Sequence, residues 1–329
     1  STQAKTLFPY TTLFRSGSLK LCQEFADIFC FLSASNIKKT QKSNKKKEYD
    51  NLDSLSATVV ICPPSIYIPE IAAKIKYQPN NILEPNTSFR QNFVSQSISQ
   101  QLSYINVILG AQNVAIGPKA QTGEIDCRML SEFDCRYVIL GHSERRRIYG
   151  ENIDVICAKV VDVLENNMIP IICIGESREI FESSQTIQYI KSEIEVIKKT
   201  LLNVTKRNLP EADSTKPRNN KTILRSDLPL PDQKPVSSIV IAYEPVYAIG
   251  SGIVPELSHI ESVSRLIYQE LKATMDQCSY NFNIIYGGSV TSANSPQILN
   301  INYIDGLLLG GASLQLEEVT KISNILLTF

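Results

Sequence analysis

Hydrophobic positions along this chain follow two periods, and their alternation predicts its architecture. Seven short runs, at 57–62, 106–110, 136–140, 169–174, 238–242, 283–286 and 305–309, are apolar on consecutive positions, as expected of parallel strands covered on both faces. Stretches at 19–32, 153–163 and 260–271 instead repeat apolar residues every three or four positions; Leu19, Cys22, Phe25, Ile28, Phe29 and Leu32 form one such stripe. That is the pattern of a helix laid on a sheet. Strand and helix in alternation predict βαβ units. Because the helix at 19–32 precedes the first clear strand, the repeat requires one strand more, and eight βα units close a barrel. The candidate is 5–14, KTLFPYTTLF, whose proline makes it a poor central strand.

Three stretches interrupt the repeat and are expected as surface insertions in a single domain. They are 36–56, with lysines at 38, 39, 42 and 45–47; 78–103, rich in Asn, Gln and Ser; and 207–235, which mixes charge and proline without periodicity. A nucleic-acid patch would interleave aromatics with its lysines for base stacking, so a solvated loop is the expected reading of the first.

Composition narrows the function classes. Of 329 residues, 43% are hydrophobic and 20% charged, ordinary values for a soluble globular chain, and no apolar run approaches the ~18 residues of a membrane span. Lys+Arg and Asp+Glu both number 33, so overall charge offers nothing to nucleic acid or an anionic membrane. Eight cysteines without a C-x-x-C pair and only two histidines argue against zinc clusters and thioredoxin-type chemistry. Cys62 and Cys173 sit in β-branched runs as core residues would, which points to a reducing compartment. The expected location is cytoplasmic, with a plastid left open.

Glycine concentrates where the chemical residues do: none lies between Gly17 and Gly110, or between Gly175 and Gly250. The segment 136–150, RYVILGHSERRRIYG, runs a strand into a turn holding His142 and then a helix start. An imidazole at a helix N-terminus meets the positive end of the dipole and stays neutral. A histidine that merely caps a turn is the alternative. The segment 239–252 ends a buried strand in Glu244 before a loop closed by Gly250 and Gly252. Partial desolvation at a barrel mouth would raise this carboxyl's pKa and fit it as a general base, although a structural ion pair explains it as well. Two further strands end in paired glycines, IIYGGS at 284–289 and GLLLGGAS at 306–313. Free N–H groups at such turns cradle phosphate, and the last two strands are where barrels commonly bind it.

Together these residues resemble the triosephosphate isomerase family. GHSERR at 141–146, AYEPVYAIGSG at 242–252, YGGSV at 286–290 and GGASL at 310–314 stand in the family's order, supported by CPPSIYI at 62–68, GAQNV at 110–114, TGEI at 122–125 and CIGE at 173–176. The resemblance implies a triosephosphate isomerase-type (β/α)₈ barrel whose first strand is atypical or replaced, interconverting dihydroxyacetone phosphate and glyceraldehyde 3-phosphate without cofactor or metal. It implies Glu244 as base, neutral His142 as electrophile and proton shuttle, and Glu144 as a carboxylate organising the polar network beneath them. Gly250, Ser289, Gly310 and Gly311 would hold the substrate phosphate through main-chain N–H groups. The loop 245–255 resembles the family's lid, with Tyr247 in place of tryptophan and Ile253-Val254-Pro255 in place of a lysine-containing hinge. The segment 113–124, carrying Thr122, resembles the loop this family inserts beside a partner's site, which implies a homodimer.

The first sixteen residues depart from the pattern. The family's first strand ends in Asn-x-Lys, and its register puts Thr12 at the asparagine and Phe14 at the lysine. Residues 1–16 are expected to be foreign or non-native, since AKTLFPYTTLFRS resembles a translated adapter sequence, and the family match begins at Gly17, leaving 17–329 as the barrel domain. A transit peptide and genuine loss of the lysine are the competing explanations. Without that cation the chain as given would be a poor or inactive isomerase. The alternative function is then a catalytically impaired homologue acting as a binding or interaction protein.

Overall fold

The computed structural model describes residues 6–8, 56–76, 104–117, 121–208 and 238–326. Its strands are β1 (Thr6–Phe8), β2 (Ser56–Ile61), β3 (Tyr104–Ala111), β4 (Tyr137–Leu140), β5 (Ile169–Ile174), β6 (Ser238–Tyr243), β7 (Asn281–Tyr286) and β8 (Gly306–Leu308). Each pairs in parallel with the next, and β1 pairs with β8, closing the barrel. The described helices are α1 (Ile68–Lys76), α2 (Cys127–Glu132), α3 (Ser143–Tyr149), α4 (Ile153–Glu165), α5 (Arg178–Glu182), α6 (Thr186–Asn208), α7 (Leu257–Cys278), α8 (Ser295–Leu299) and α9 (Leu316–Leu326).

All seven strands expected from apolar runs are present within two residues of their expected ends. The eighth slot is filled from the segment before Gly17. Thr6 and Leu7 pair with Thr58 and Val59, and Thr6 to Phe8 pair with Gly306 to Leu308. The described strand, Thr6–Phe8, precedes Pro9 in the sequence. The helix expected at 19–32, the positions Thr12 and Phe14, and nearly all of the three insertions lie outside the described residues.

Period-two alternation builds two cores. Val60, Cys62, Ile139, Ile171, Cys173, Val240, Ala242, Ile285 and Leu308 fill the barrel's interior. Their neighbours Val59, Ile61, Val138, Leu140, Ile172, Ile174, Ile239, Ile241, Tyr243 and Tyr286 face the helices. Cys62 and Cys173 are core residues, as expected, and burial pushes both thiols well above their usual range.

One polar network is buried beside the rim. The Glu151 carboxylate accepts from Lys159 Nζ at 2.6 Å and Arg145 Nε at 2.8 Å, and Lys159 also donates to Asn113 Oδ1 at 2.8 Å. Burial opposes the charge on Glu151, yet those hydrogen bonds outweigh it and hold the carboxyl below its usual range. Removing one partner of a buried pair strands the other. Glu151→Ala should therefore cost ~3 to 5 kcal/mol in urea unfolding, whereas Asp276→Ala, from the exposed Lys272–Asp276 pair, should cost no more than ~0.5 kcal/mol.

Candidate active site

The strand alternation that fills the barrel also aims the first functional side chain. Val240 and Ala242 face the axis, so a period of two carries Glu244, just past β6, to the axis at the C-terminal mouth. Its N–H donates to Ile174 O at 2.8 Å, extending the β5–β6 ladder by one bond. Glycines make the space: a Cβ on Gly175 would fall 1.8 Å from Glu244 O, and one on Gly287 would fall 2.8 Å from Glu244 Cγ. The first glycine pair thus answers partly to a packing demand of the carboxylate.

His142 follows β4 and caps α3. Its Nδ1 accepts from the Glu144 N–H at 3.3 Å, so in the neutral ring the proton sits on Nε2. That nitrogen lies 3.5 Å from Glu244 Oε1. The two residues are 3% and 2% exposed respectively. Burial lowers the His142 pKa to about 4, so the ring is neutral at pH 7, and desolvation acts in the same direction as the helix dipole. Burial raises the Glu244 pKa to about 8, against hydrogen bonds from the Cys173 thiol and the Ser143 N–H that favour the carboxylate.

The other expected residues gather on the same rim. Glu144, in the first turn of α3, lines a cavity of about 360 Å³ with His142, Gln112, Glu124 and Tyr149. Gly250 has φ +63°, and Ser289 Oγ donates to Ala248 O at 2.5 Å, tying the turn after β7 to the lid. Gly310 and Gly311 follow β8 and open a 3₁₀ turn, Gly311–Leu314. Thr122 is exposed in the loop after β3.

Several contacts around the site join residues far apart in the sequence. Arg146 donates to Gly141 O at 2.8 Å and Cys173 O at 2.9 Å, joining the ends of β4 and β5, while its Nη1 meets Glu193 at 2.5 Å. At the lid base, Tyr247 stacks on Phe181 with ring centroids 4.5 Å apart, and His259 meets Phe181 edge-on at 5.2 Å. His259 Nε2 lies 3.1 Å from Tyr243 Oη and 3.3 Å from Glu176 Oε1, and the Val246 N–H donates to Glu176 O at 3.0 Å. Glu176 thus meets the start of this loop through its main-chain carbonyl and α7 through its buried carboxylate.

The sequence profile of the triosephosphate isomerase family matches residues 86–326. Triosephosphate isomerases of Shewanella denitrificans and Shewanella frigidimarina are each 32% identical to this chain over 281 residues, spanning 85% of the chain and 89% of the relative. This chain belongs to the triosephosphate isomerase family. It is an isomerase by descent, on a barrel that brings His142 and Glu244 within 3.5 Å of each other.

The Glu244 shift makes a signed stability prediction. A carboxyl whose pKa is about 8 when folded, against an ordinary 4.5, holds a proton that the unfolded chain releases, so folding stability falls as pH rises between those values. Glu244→Gln cannot ionise. Its melting temperature should exceed the parent's by about 4 °C or more at pH 8.5, with the difference shrinking toward zero by pH 5.

Proposed function

We propose that this chain interconverts dihydroxyacetone phosphate and glyceraldehyde 3-phosphate, a step of glycolysis and gluconeogenesis. The observation that carries the reading is the buried contact between Glu244 Oε1 and the proton-bearing Nε2 of neutral His142. Pairing a carboxylate base with a neutral imidazole is the established arrangement of triosephosphate isomerases, not something these distances reveal for the first time. Here the ionised Glu244 takes a proton from the carbon beside the carbonyl, and His142 Nε2–H stabilises charge on the enediolate oxygens and passes the second proton between them. Glu144 fixes the ring's tautomer through its N–H. Main-chain N–H groups at Gly250, Ser289, Gly310 and Gly311 hold the phosphate, and the lid over 245–255 excludes water from the enediolate.

The family register at Phe14 favours a second reading, an isomerase impaired by lack of a cation. Both are tested together. Restoring Asn-x-Lys by Thr12→Asn and Phe14→Lys should raise kcat/KM for dihydroxyacetone phosphate by at least ~10²-fold, the contribution of one positioned group to developing negative charge. Glu244→Gln in that background should lower kcat by at least ~10²-fold. Activity surviving Glu244→Gln within a factor of about three would remove Glu244 from the role of base.

A homodimer belongs to the same proposal. Around the cavity on the Glu144 side, Ile148 and Tyr149 are 48% and 66% exposed, an apolar rim that a partner's copy of the loop bearing Thr122 would cover. Sedimentation at micromolar concentration should give twice the 36.7 kDa chain mass. Tyr149→Asp should shift it toward monomer, and a monomer in the parent would count against the interface.

A further inference from the structure

The phosphate turns lie beyond the reach of the sheet that carries them. Strands β7 and β8 pair only at Ile285↔Gly306 and Tyr286↔Leu307, so Ser289 and Gly310 each stand three residues past the last pair. Strand pairing alone therefore leaves the separation between the two turns unset, and a misplacement of about 1 Å at a binding site is expensive.

A side chain closes the gap. Glu318, in the first turn of α9, accepts from the Ser292 N–H at 2.8 Å through Oε2 and from the Ser292 hydroxyl at 3.0 Å through Oε1. On one side, Asn294 Nδ2 donates to Ser289 O at 3.2 Å and Asn294 Oδ1 accepts from the Thr291 N–H at 2.8 Å, so Ser292 sits in a turn fastened to Ser289. On the other, Ser313 donates its N–H and hydroxyl to Gly310 O at 2.9 and 2.6 Å, and α9 starts directly after that turn. These bonds trace a path from Ser289 through the turn holding Ser292 to Glu318, and the chain at the start of α9 carries it on to Ser313 and Gly310.

Resting on the isomerase reading above, we infer that Glu318 is a positioning residue for substrate phosphate. It touches no reacting atom; it fixes the distance between the turn after β7 and the turn after β8. A carboxylate near an anion site repels the ligand, and exposed Lys321, 3.8 Å from Glu318 Oε1, offsets only part of that charge. The part assigned to it is geometric, and its geometric and electrostatic effects on an anion have opposite signs.

That difference makes the test decisive. Inorganic phosphate is titrated into the full chain by calorimetry, with melting curves recorded for every variant. Glu318→Ala should weaken phosphate binding at least fivefold, although it removes a negative charge. Glu318→Gln, which keeps one acceptor for Ser292, should fall between. Glu317→Ala removes the same charge one residue away, from a side chain paired only with Lys321 at 2.8 Å, and should bind within twofold of the parent. Phosphate affinity equal to or above the parent's in Glu318→Ala overturns the inference. Where that variant does not fold, parental affinity in Ser292→Ala does the same. A parent chain that binds no phosphate overturns the anion cradle itself and the brace with it, an outcome distinct from phosphate bound equally by all variants.

Discussion

The contact on which this structure turns places a carboxylate and an imidazole, 2% and 3% exposed, 3.5 Å apart at the mouth of a barrel. Water would separate such a pair and solvate each group alone. The barrel denies them that water, and both respond by disfavouring charge. The result is a carboxyl with a raised proton affinity beside an imidazole that is neutral at pH 7. The neighbouring architecture makes the burial tolerable: glycines at 175 and 287 where a Cβ would collide, and hydrogen bonds from the Cys173 thiol and the Ser143 N–H to the carboxylate.

Rigidity is supplied one layer further out. Arg146 ties the carbonyls of Gly141 and Cys173, so the residue before His142 and the thiol that contacts Glu244 are braced by the same guanidinium. The Glu151–Lys159–Arg145 network fastens α3 to α4, and the Phe181–Tyr247–His259 stack fastens the lid base to α5 and α7. Catalytic geometry in this barrel is set by long side chains bridging successive βα turns, because parallel strands end at the rim and cannot position the turns beyond it.

The barrel was legible because its strands are short, apolar on both faces and separated by helices of a different period, and because Glu244 and His142 directly follow such strands. The bracing was not. Arg146 meets Glu193, 47 positions away, and Glu318 meets Ser292, 26 away; neither has a local spacing that marks it. His259 lies in an amphipathic helix, where one polar residue reads as surface. The first strand was obscured for another reason: Pro9 argued against the whole stretch 5–14, yet Thr6–Phe8 pair within it. The helix dipole was the reason the sequence offered for a neutral His142; burial, which a single sequence does not reveal, acts in the same direction.

Descent and activity are separate questions here, since a residue read in the first strand's register bears on rate while the buried pair bears on reaction type. The most direct test of the pair is solvent exchange at carbon. Incubating the chain as given with dihydroxyacetone phosphate in heavy water, and following the carbon-bound protons by NMR, reports proton abstraction even where turnover is slow. The account predicts deuterium incorporation faster than in buffer alone, abolished by Glu244→Gln. Incorporation at the buffer rate, or incorporation unaffected by that substitution, would contradict it.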